Sequence, residues 1–350
     1  MEELLCRLPP TSIVIPTLNE AEHIRETIER IAQNAPENIL DILIVDGGST
    51  DGTRAVVFEM MKADCRIRLL DNPRRIQSAG INAAVRAADP NSEIIVRVDA
   101  HARYRPSFVV DVVREMVRTG ADSVVVRLTT AGHTCFQKAI ASVSNGVIGT
   151  GGARHRMDGG SGYVDHGHHA GFRRTVFVDL GGYDERFAAN EDAEFDFRLR
   201  SASGKIWLAS DLEVTYFPRR SAVSLARQYF RYGWGRGQNF QKHRAGLKLR
   251  QIIPVGLVAY VGLLPLATLL APPAVAALLL VPLGLYLALV TAAAAIAFRR
   301  ERSRCSIGAT VALPVMHLTW GAGFLARIFL APLEGSVSGN PVSGAERRVR

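Results

Sequence analysis

No charged residue occurs between Arg250 and Arg299. A bilayer crossing takes ~20 apolar residues, so this stretch suffices for two. It divides the chain into an N-terminal part, 1–245, and a membrane part, 246–350. Pro272-Pro273 splits the stretch into spans at about 252–270 and 274–298. A third apolar segment at 308–329, interrupted by His317, is long enough to span as well. Arg244, Lys248 and Arg250 crowd one flank of the first two spans, and Arg299, Arg300 and Arg302 the other. The positive-inside rule then predicts a hairpin with both flanks cytoplasmic, in a multi-pass protein of the inner membrane. Met1–Pro10 has no apolar core of signal-peptide length, so the N-terminal part is expected to stay in the cytoplasm.

The net charge of +9 raises the question of nucleic acid. The basic residues form no stripe interleaved with aromatics; they gather beside the apolar region, which fits anionic lipid instead. No nucleic-acid partner is expected. Cys6, Cys65, Cys135 and Cys305 show neither paired nor metal-type spacing, and read as plain thiols.

Apolar runs at 11–16, 39–45, 66–70, 93–98 and 123–128 read as strands, with helical spacing at 19–33, up to Lys62, at 77–88 and at 106–118. This alternation predicts an α/β fold with a mostly parallel sheet covered on both faces. Ligands of such sheets bind beyond the carboxyl ends of the strands, where Thr17, Asp46 and Asp99 converge. After Thr129 the alternation stops. Gly149–Gly162 reads as a mobile loop, Glu191–Ser201 as a helix, 205–210 and 214–217 as two strands, and Ser221–His243 as a basic helix with aromatics.

Several of these positions can carry chemistry. Asp46, before Gly-Gly-Ser-Thr-Asp-Gly, could accept hydrogen bonds from a uracil or ribose, while Ser49 or Asp51 caps the next helix. Asp99 and His101, two residues apart at a strand end, can approach one divalent cation, and an imidazole ligand favours Mn²⁺ over Mg²⁺. Asn190-Glu191-Asp192 places carboxylates at a helix start, where they complement the dipole or take a proton from an acceptor. His166, His168 and His169 lack zinc-site spacing and are expected to line an acceptor pocket. Gln228–Tyr232 could lie at the interface with snorkelling arginines, or touch the acceptor or a diphosphate.

Taken in order, SIVIPTLNEAEHI (12–24), ILIVDGGSTDGT (42–53), VDAH (98–101), the segment 181–187 and NEDAEFDFRLR (190–200) resemble the family 2 glycosyltransferases of the GT-A fold. NPRRIQSAGINAA, HHAGFRR and RQYFRYG are similar to the succinoglycan-type glucosyltransferases within that family. The resemblance implies that Thr17, Glu20 and Asp46 hold the nucleoside, and that Asp99 contacts the ribose or metal-bound diphosphate. It puts His101 at the second metal-ligand position and makes Asp192 the base. Glu191 and His169 then face substrate. Gln228 and Arg231 match a Q-x-x-R-W motif with Tyr232 for Trp, which favours single addition over processivity. Arg75 supplies a donor-phosphate contact. A UDP-sugar donor, a lipid-linked saccharide acceptor, a membrane and Mn²⁺ or Mg²⁺ are the implied partners. The implied reaction transfers a hexose with inversion in extracellular polysaccharide synthesis. The alternatives are transfer to polyprenyl phosphate, and a non-catalytic scaffold.

Overall fold

The computed structural model describes residues 8–32, 38–156, 159–244 and 247–331. The first half alternates as the apolar runs require: β1 (Thr11–Thr17), α1 (Ile24–Ala32), β2 (Ile39–Asp46), α2 (Thr53–Ala63), β3 (Ile67–Asp71), α3 (Gln77–Ala87), β4 (Ile94–Arg97), α4 (Phe108–Thr119) and β5 (Ser123–Thr130). There follow α5 (Cys135–Ser144), α6 (Val147–Thr150), β6 (Gly162–Tyr163), β7 (His168–Arg173), α7 (Arg174–Asp179), α8 (Glu191–Ser201), β8 (Ile206–Tyr216) and α9 (Ala222–His243). Three long apolar helices close the chain: α10 (Leu249–Leu270), α11 (Pro273–Glu301) and α12 (Ala309–Leu330).

The eight strands form one sheet in the order β3-β2-β1-β4-β7-β5-β8-β6. β1 to β4 pair in parallel, as do β5 and β8, while β7 runs antiparallel between β4 and β5. Side chains alternate across each strand. Ile13, Ile15, Ile42 and Ile44 pack in one core with α1, α2 and α4. Val14, Leu43 and Val45 pack in the other with α3, Phe177, Tyr183 and Phe195. Four aromatic rings stack within this second core, Phe172 on Phe177 at 4.9 Å and Phe177 on Phe195 at 5.1 Å. Such pairs add ~0.5–1.5 kcal/mol each beyond buried area.

The structure corrects four expectations. α1 begins at Ile24 rather than Asn19, because the amides of Glu20 and Ala21 donate to Thr53 and Asp51 of the next loop. The two expected strands at 205–217 are one strand, β8; its register against β5 jumps after Val126, so it bends without breaking. Part of the expected loop at 149–162 is helical, ending α6 and forming a 3-10 turn at Arg154–Arg156. Finally, Cys135 and Cys305 form a disulfide. They lie 170 residues apart in sequence, and only the packing of α5 against the α11–α12 junction brings their Cα atoms to 4.9 Å. Cys65 is free and exposed.

Among the described residues, three helices are long and apolar enough to cross a membrane. α10 and α11 show their apolar surface almost throughout, whereas α12 is partly covered. Its cover is α9, so the basic aromatic helix is wedged between α8 and α12 rather than lying free at an interface. Glycine makes this possible. A Cβ on Gly233 would sit 1.8 Å from the Trp320 carbonyl oxygen, and one on Gly323 2.1 Å from that of Phe230. A third core, from Ile140, Leu225, Val290 and Leu313, ties α5, α9, α11 and α12 together. The basic tail at 347–350 lies outside the described residues.

Candidate active site

A cleft of about 1960 Å³ opens beyond the carboxyl ends of β1, β4 and β5. Beside Leu18 and Glu20 of its wall, two loops cross. Asn19, in the left-handed region at φ 56°, donates its amide to Ser49 Oγ, and its side-chain oxygen accepts from the Thr50 amide. Thr17 and Asp46 are register partners on β1 and β2 beneath these loops. The Asp46 carboxylate accepts from the amides of Gly48 and Ser49, from Ser49 Oγ at 2.5 Å and from Arg54 at 3.0 Å. Burial works to raise its pKa, but these bonds hold it below the ordinary value. Asp46 thus organises its own turn, and neither it nor Thr17 lines the cleft. Asp51, not Ser49, accepts the first amide of α2, from Thr53. Arg75 also stands back, over Gly48. Glu20 does reach the cleft wall.

Asp99 ends β4 within the cleft. Its Oδ1 accepts from Gln77 Nε2 and Arg97 Nε, both at 3.2 Å, and His168 Nε2 lies 3.4 Å from Oδ2. Burial would raise its pKa, yet Arg97 and His168 hold it well below the usual carboxylate range. His101 shares a hydrogen bond of 2.9 Å with Glu20 through Nδ1, which raises the pKa of the imidazole. Among the described residues no three His, Cys, Asp or Glu side chains converge on one point. Asp99 and His101 nonetheless fit a hard cation that keeps most of its sphere for phosphate oxygens and water. The Glu20 contact engages Nδ1, so Nε2 is the nitrogen that a cation would meet.

α8 carries four acids in its first six residues, Glu191, Asp192, Glu194 and Asp196. Three have basic partners. Glu191 lies 3.7 Å from Arg97. Glu194 is held by Arg198, Lys242 and His243. Asp196 accepts from His166 at 2.7 Å and His169 at 2.8 Å. Asp192 alone, among the described residues, has no basic partner within ion-pair distance, and it faces the cleft. Burial would raise its pKa, but the charges of His166, His169 and Arg97 hold it below the ordinary value. Burial and the charge of Asp192 instead push Glu191 up, to about 7. An ionised carboxylate facing a cleft, backed by imidazoles, can take a proton from a hydroxyl.

The three histidines divide. His166 and His168 line the cleft. His169 does not: its side chain is fully buried, with Nδ1 on the Tyr183 hydroxyl at 2.6 Å and Nε2 on Asp196. The expectation that it faces substrate is therefore corrected, since adjacent residues on a strand point to opposite faces. Gln228 and Arg231 both reach the cleft, Gln228 donating to the hydroxyls of Tyr216 and Tyr232. Asn82, on α3, pins the loop before α8 by bonding the Tyr183 backbone through both side-chain atoms. Arg97 was not among the candidates, although a charge inside the buried run Ile94–Val98 signals a partner. Arg236 and Arg250, also in the cleft wall, were overlooked because they read as membrane-flanking charge.

The fold and this site are those of a sugar-transferring enzyme, and the comparisons agree. The sequence profile of glycosyl transferase family 2 matches residues 12–181. The chain is 41% identical to the succinoglycan biosynthesis protein ExoA of Rhizobium meliloti (strain 1021), over 89% of this chain and 93% of that one. It belongs to glycosyl transferase family 2 and is a glycosyltransferase. A second relative is the dolichyl N-acetyl-α-D-glucosaminyl phosphate 3-β-D-2,3-diacetamido-2,3-dideoxy-β-D-glucuronosyltransferase of Methanococcus voltae, 25% identical over 66% of this chain and 74% of that protein. Among solved structures, the mannosyltransferase PcManGT of Pyrobaculum calidifontis, in complex with GDP-Man and Mn²⁺, superposes with a TM-score of 0.63. That match covers 94% of this chain and 89% of that one at 19% identity, and it shows the shared GT-A fold.

Proposed function

We propose that this enzyme transfers a hexose, glucose from UDP-glucose, with inversion onto a saccharide carried by polyprenyl diphosphate, in the synthesis of an extracellular polysaccharide. The observation that carries the reading is the lone unpaired carboxylate of α8, Asp192, set in a cleft with Asp99 and His101. The pathway is supported by the similarity to a succinoglycan biosynthesis protein, and a lipid-linked acceptor by the relative that acts on a dolichyl-linked sugar. The acceptor hydroxyl attacks the anomeric carbon and gives its proton to Asp192, and the bond from that carbon to the diphosphate oxygen breaks with its electron pair leaving on UDP. Arg97 holds Asp99 and Glu191 in place. Asp99 and His101 would hold Mn²⁺ or Mg²⁺, which neutralises charge on the departing diphosphate when bound. The full-length protein should transfer sugar from one of a panel of UDP- and GDP-sugars to a lipid-linked saccharide, forming a new glycosidic bond. Formation of a lipid-phosphate sugar instead, or no nucleotide release with any pair, overturns the reading.

The arginine-rich flanks of α10 and α11 support a catalytic part on the cytoplasmic side of the inner membrane. A cysteine introduced as Pro272→Cys, between α10 and α11, is then expected to react in intact cells with a membrane-impermeant maleimide. Labelling only after the cells are opened reverses the orientation. A reporter fused after Arg350 should be active outside the cytoplasm if α12 completes three spans, and active inside if it does not.

A further inference from the structure

The cleft does not end at the carboxylates. It continues as one cavity into the apolar helices, where Ile253 and Leu257 of α10, Leu289 of α11 and Met316 and Trp320 of α12 line it, with the mutually bonded Tyr286 and His317 among them. Arg236 of α9 and Arg250, in the first turn of α10, also line it. Neither arginine makes an ion pair or side-chain hydrogen bond among the described residues, a property they share with Arg219, Arg220, Arg227 and Arg231 of the same cavity; Arg236 and Arg250 are the two that sit among α8, α9 and the start of α10, within reach of the charges of Asp192 and Asp165 respectively. Arg250 is held from behind by the close approach of Gly151, whose Cβ would lie 2.5 Å from that of Arg250. The apolar branch is kept open by fixed neighbours. α12 abuts α10 through Gly321, where a Cβ would lie 2.3 Å from the Pro254 carbonyl oxygen. The Tyr286 hydroxyl bonds His317 across α11 and α12 at 3.2 Å.

A partly buried guanidinium without a counter-ion is costly, and a diphosphate offsets that cost in bidentate geometry. An apolar branch at the depth of membrane-crossing helices takes a hydrocarbon chain for the same reason that those helices are apolar. One cavity therefore offers three environments: acids and imidazoles, arginines without ion-pair partners, and a mainly apolar wall. Saccharide, diphosphate and polyprenyl chain are the matching parts of one molecule.

We infer that the branch between α10, α11 and α12 binds the polyprenyl chain of the acceptor, with Arg236 and Arg250 holding its diphosphate so that the saccharide points toward Asp192. This rests on the reading of the acceptor as lipid-linked, and it adds where the lipid lies and which residues select it.

The test uses full-length protein in nanodiscs and two acceptors that share one saccharide diphosphate, one with a long polyprenyl chain and one with a chain of two isoprene units. Leu289→Trp and, as a second variant, Leu257→Trp fill the branch. Each should raise KM for the long-chain acceptor roughly 10-fold or more, the equivalent of two or three methylenes no longer buried. KM for the short-chain acceptor, and nucleotide binding, should stay near wild type. Arg236→Gln should raise KM for both acceptors alike. A long-chain acceptor bearing a diazirine near its diphosphate-distal end should cross-link to α10, α11 or α12, and excess phosphatidylglycerol should not displace it. Equal KM changes for both chain lengths, cross-links confined to other surfaces, or displacement by phosphatidylglycerol would overturn the inference. If wild type cross-links the probe at these helices yet transfers no sugar to it, the functional reading fails while the lipid site stands. If wild type transfers well and the tryptophan variants do not discriminate chain length, the site fails while the functional reading stands.

Discussion

Asp192→Asn is expected to lower turnover by ~10²–10⁴-fold, the range for loss of a general base, while nucleotide affinity stays close to wild type. The amide keeps the size of the side chain and removes its capacity to take a proton. Binding is expected to be spared because the loops after β1 and β2, proposed to hold the nucleoside, are tied to each other and not to α8. The three paired acids of α8 make the comparison informative. Glu194→Gln breaks contacts to Lys242, His243 and Arg198 and should lower thermal stability first. The pH profile carries a sign as well. The base must be ionised, and His166, His169 and Arg97 hold Asp192 below the ordinary carboxylate value against the opposing effect of burial. Asp192 itself should therefore stay competent as pH falls to the usual Asp range, whereas the raised pKa of His101 makes metal-dependent turnover fall earlier, so the base is read at saturating metal. Near-normal turnover in Asp192→Asn, measured as nucleotide release with acceptor present, would remove Asp192 from the mechanism.

Removing divalent metal is expected to abolish turnover, with Mn²⁺ restoring it best. The leaving diphosphate gathers negative charge, and Asp99 adds a further negative charge to that end of the cleft. His101→Ala should weaken metal-dependent nucleotide binding, because it removes one ligand and frees Glu20 from its bond to Nδ1. Both effects can be read by calorimetric titration of nucleotide with and without Mn²⁺. Activity unchanged by EDTA would exclude a metal-centred mechanism, and metal-independent nucleotide binding that His101→Ala leaves intact would exclude this pair of ligands.

Much of the site was legible because local chemistry decides it. β1 to β5 follow from short β-branched runs, and α8 runs from Glu191 to Ser201, with acids in its first turn and arginines in its last as its charge pattern places them. Asp99 and His101 enter the cleft because they follow the carboxyl end of β4, and Asp192 because α8 starts beside it. What escaped was decided elsewhere in the chain. α5 turns its apolar face to α11 and α12 rather than to the sheet, so its stretch shows no signal that belongs to the α/β alternation. The partner of Cys135 is invisible for the same reason. His168 and His169 look alike in sequence, yet the twofold alternation of β7 sends one to Asp99 and the other to Asp196. That alternation was available to be used. Arg236 could not be separated by composition from its basic neighbours, because its place in the cleft wall follows from the packing of α9 against α8 and α12.

The glycine contacts of α9 have a mechanical meaning. Gly233 meets α12 backbone to backbone, and two residues on, Gly235 would put a Cβ 2.3 Å from the Ala189 carbonyl oxygen, just ahead of Glu191 and Asp192. Asn190 closes the same joint by donating to the Tyr232 carbonyl oxygen at 2.8 Å. These contacts join a helix apolar enough to cross a membrane to the start of α8, which carries the proposed base. A spanning helix answers to the thickness of its bilayer by tilting. Any tilt of α12 is handed to α9, and from α9 to the start of α8. Hydrocarbon thickness thereby becomes a variable of the reaction, and lipid composition a means of tuning an enzyme whose chemistry takes place outside the lipid.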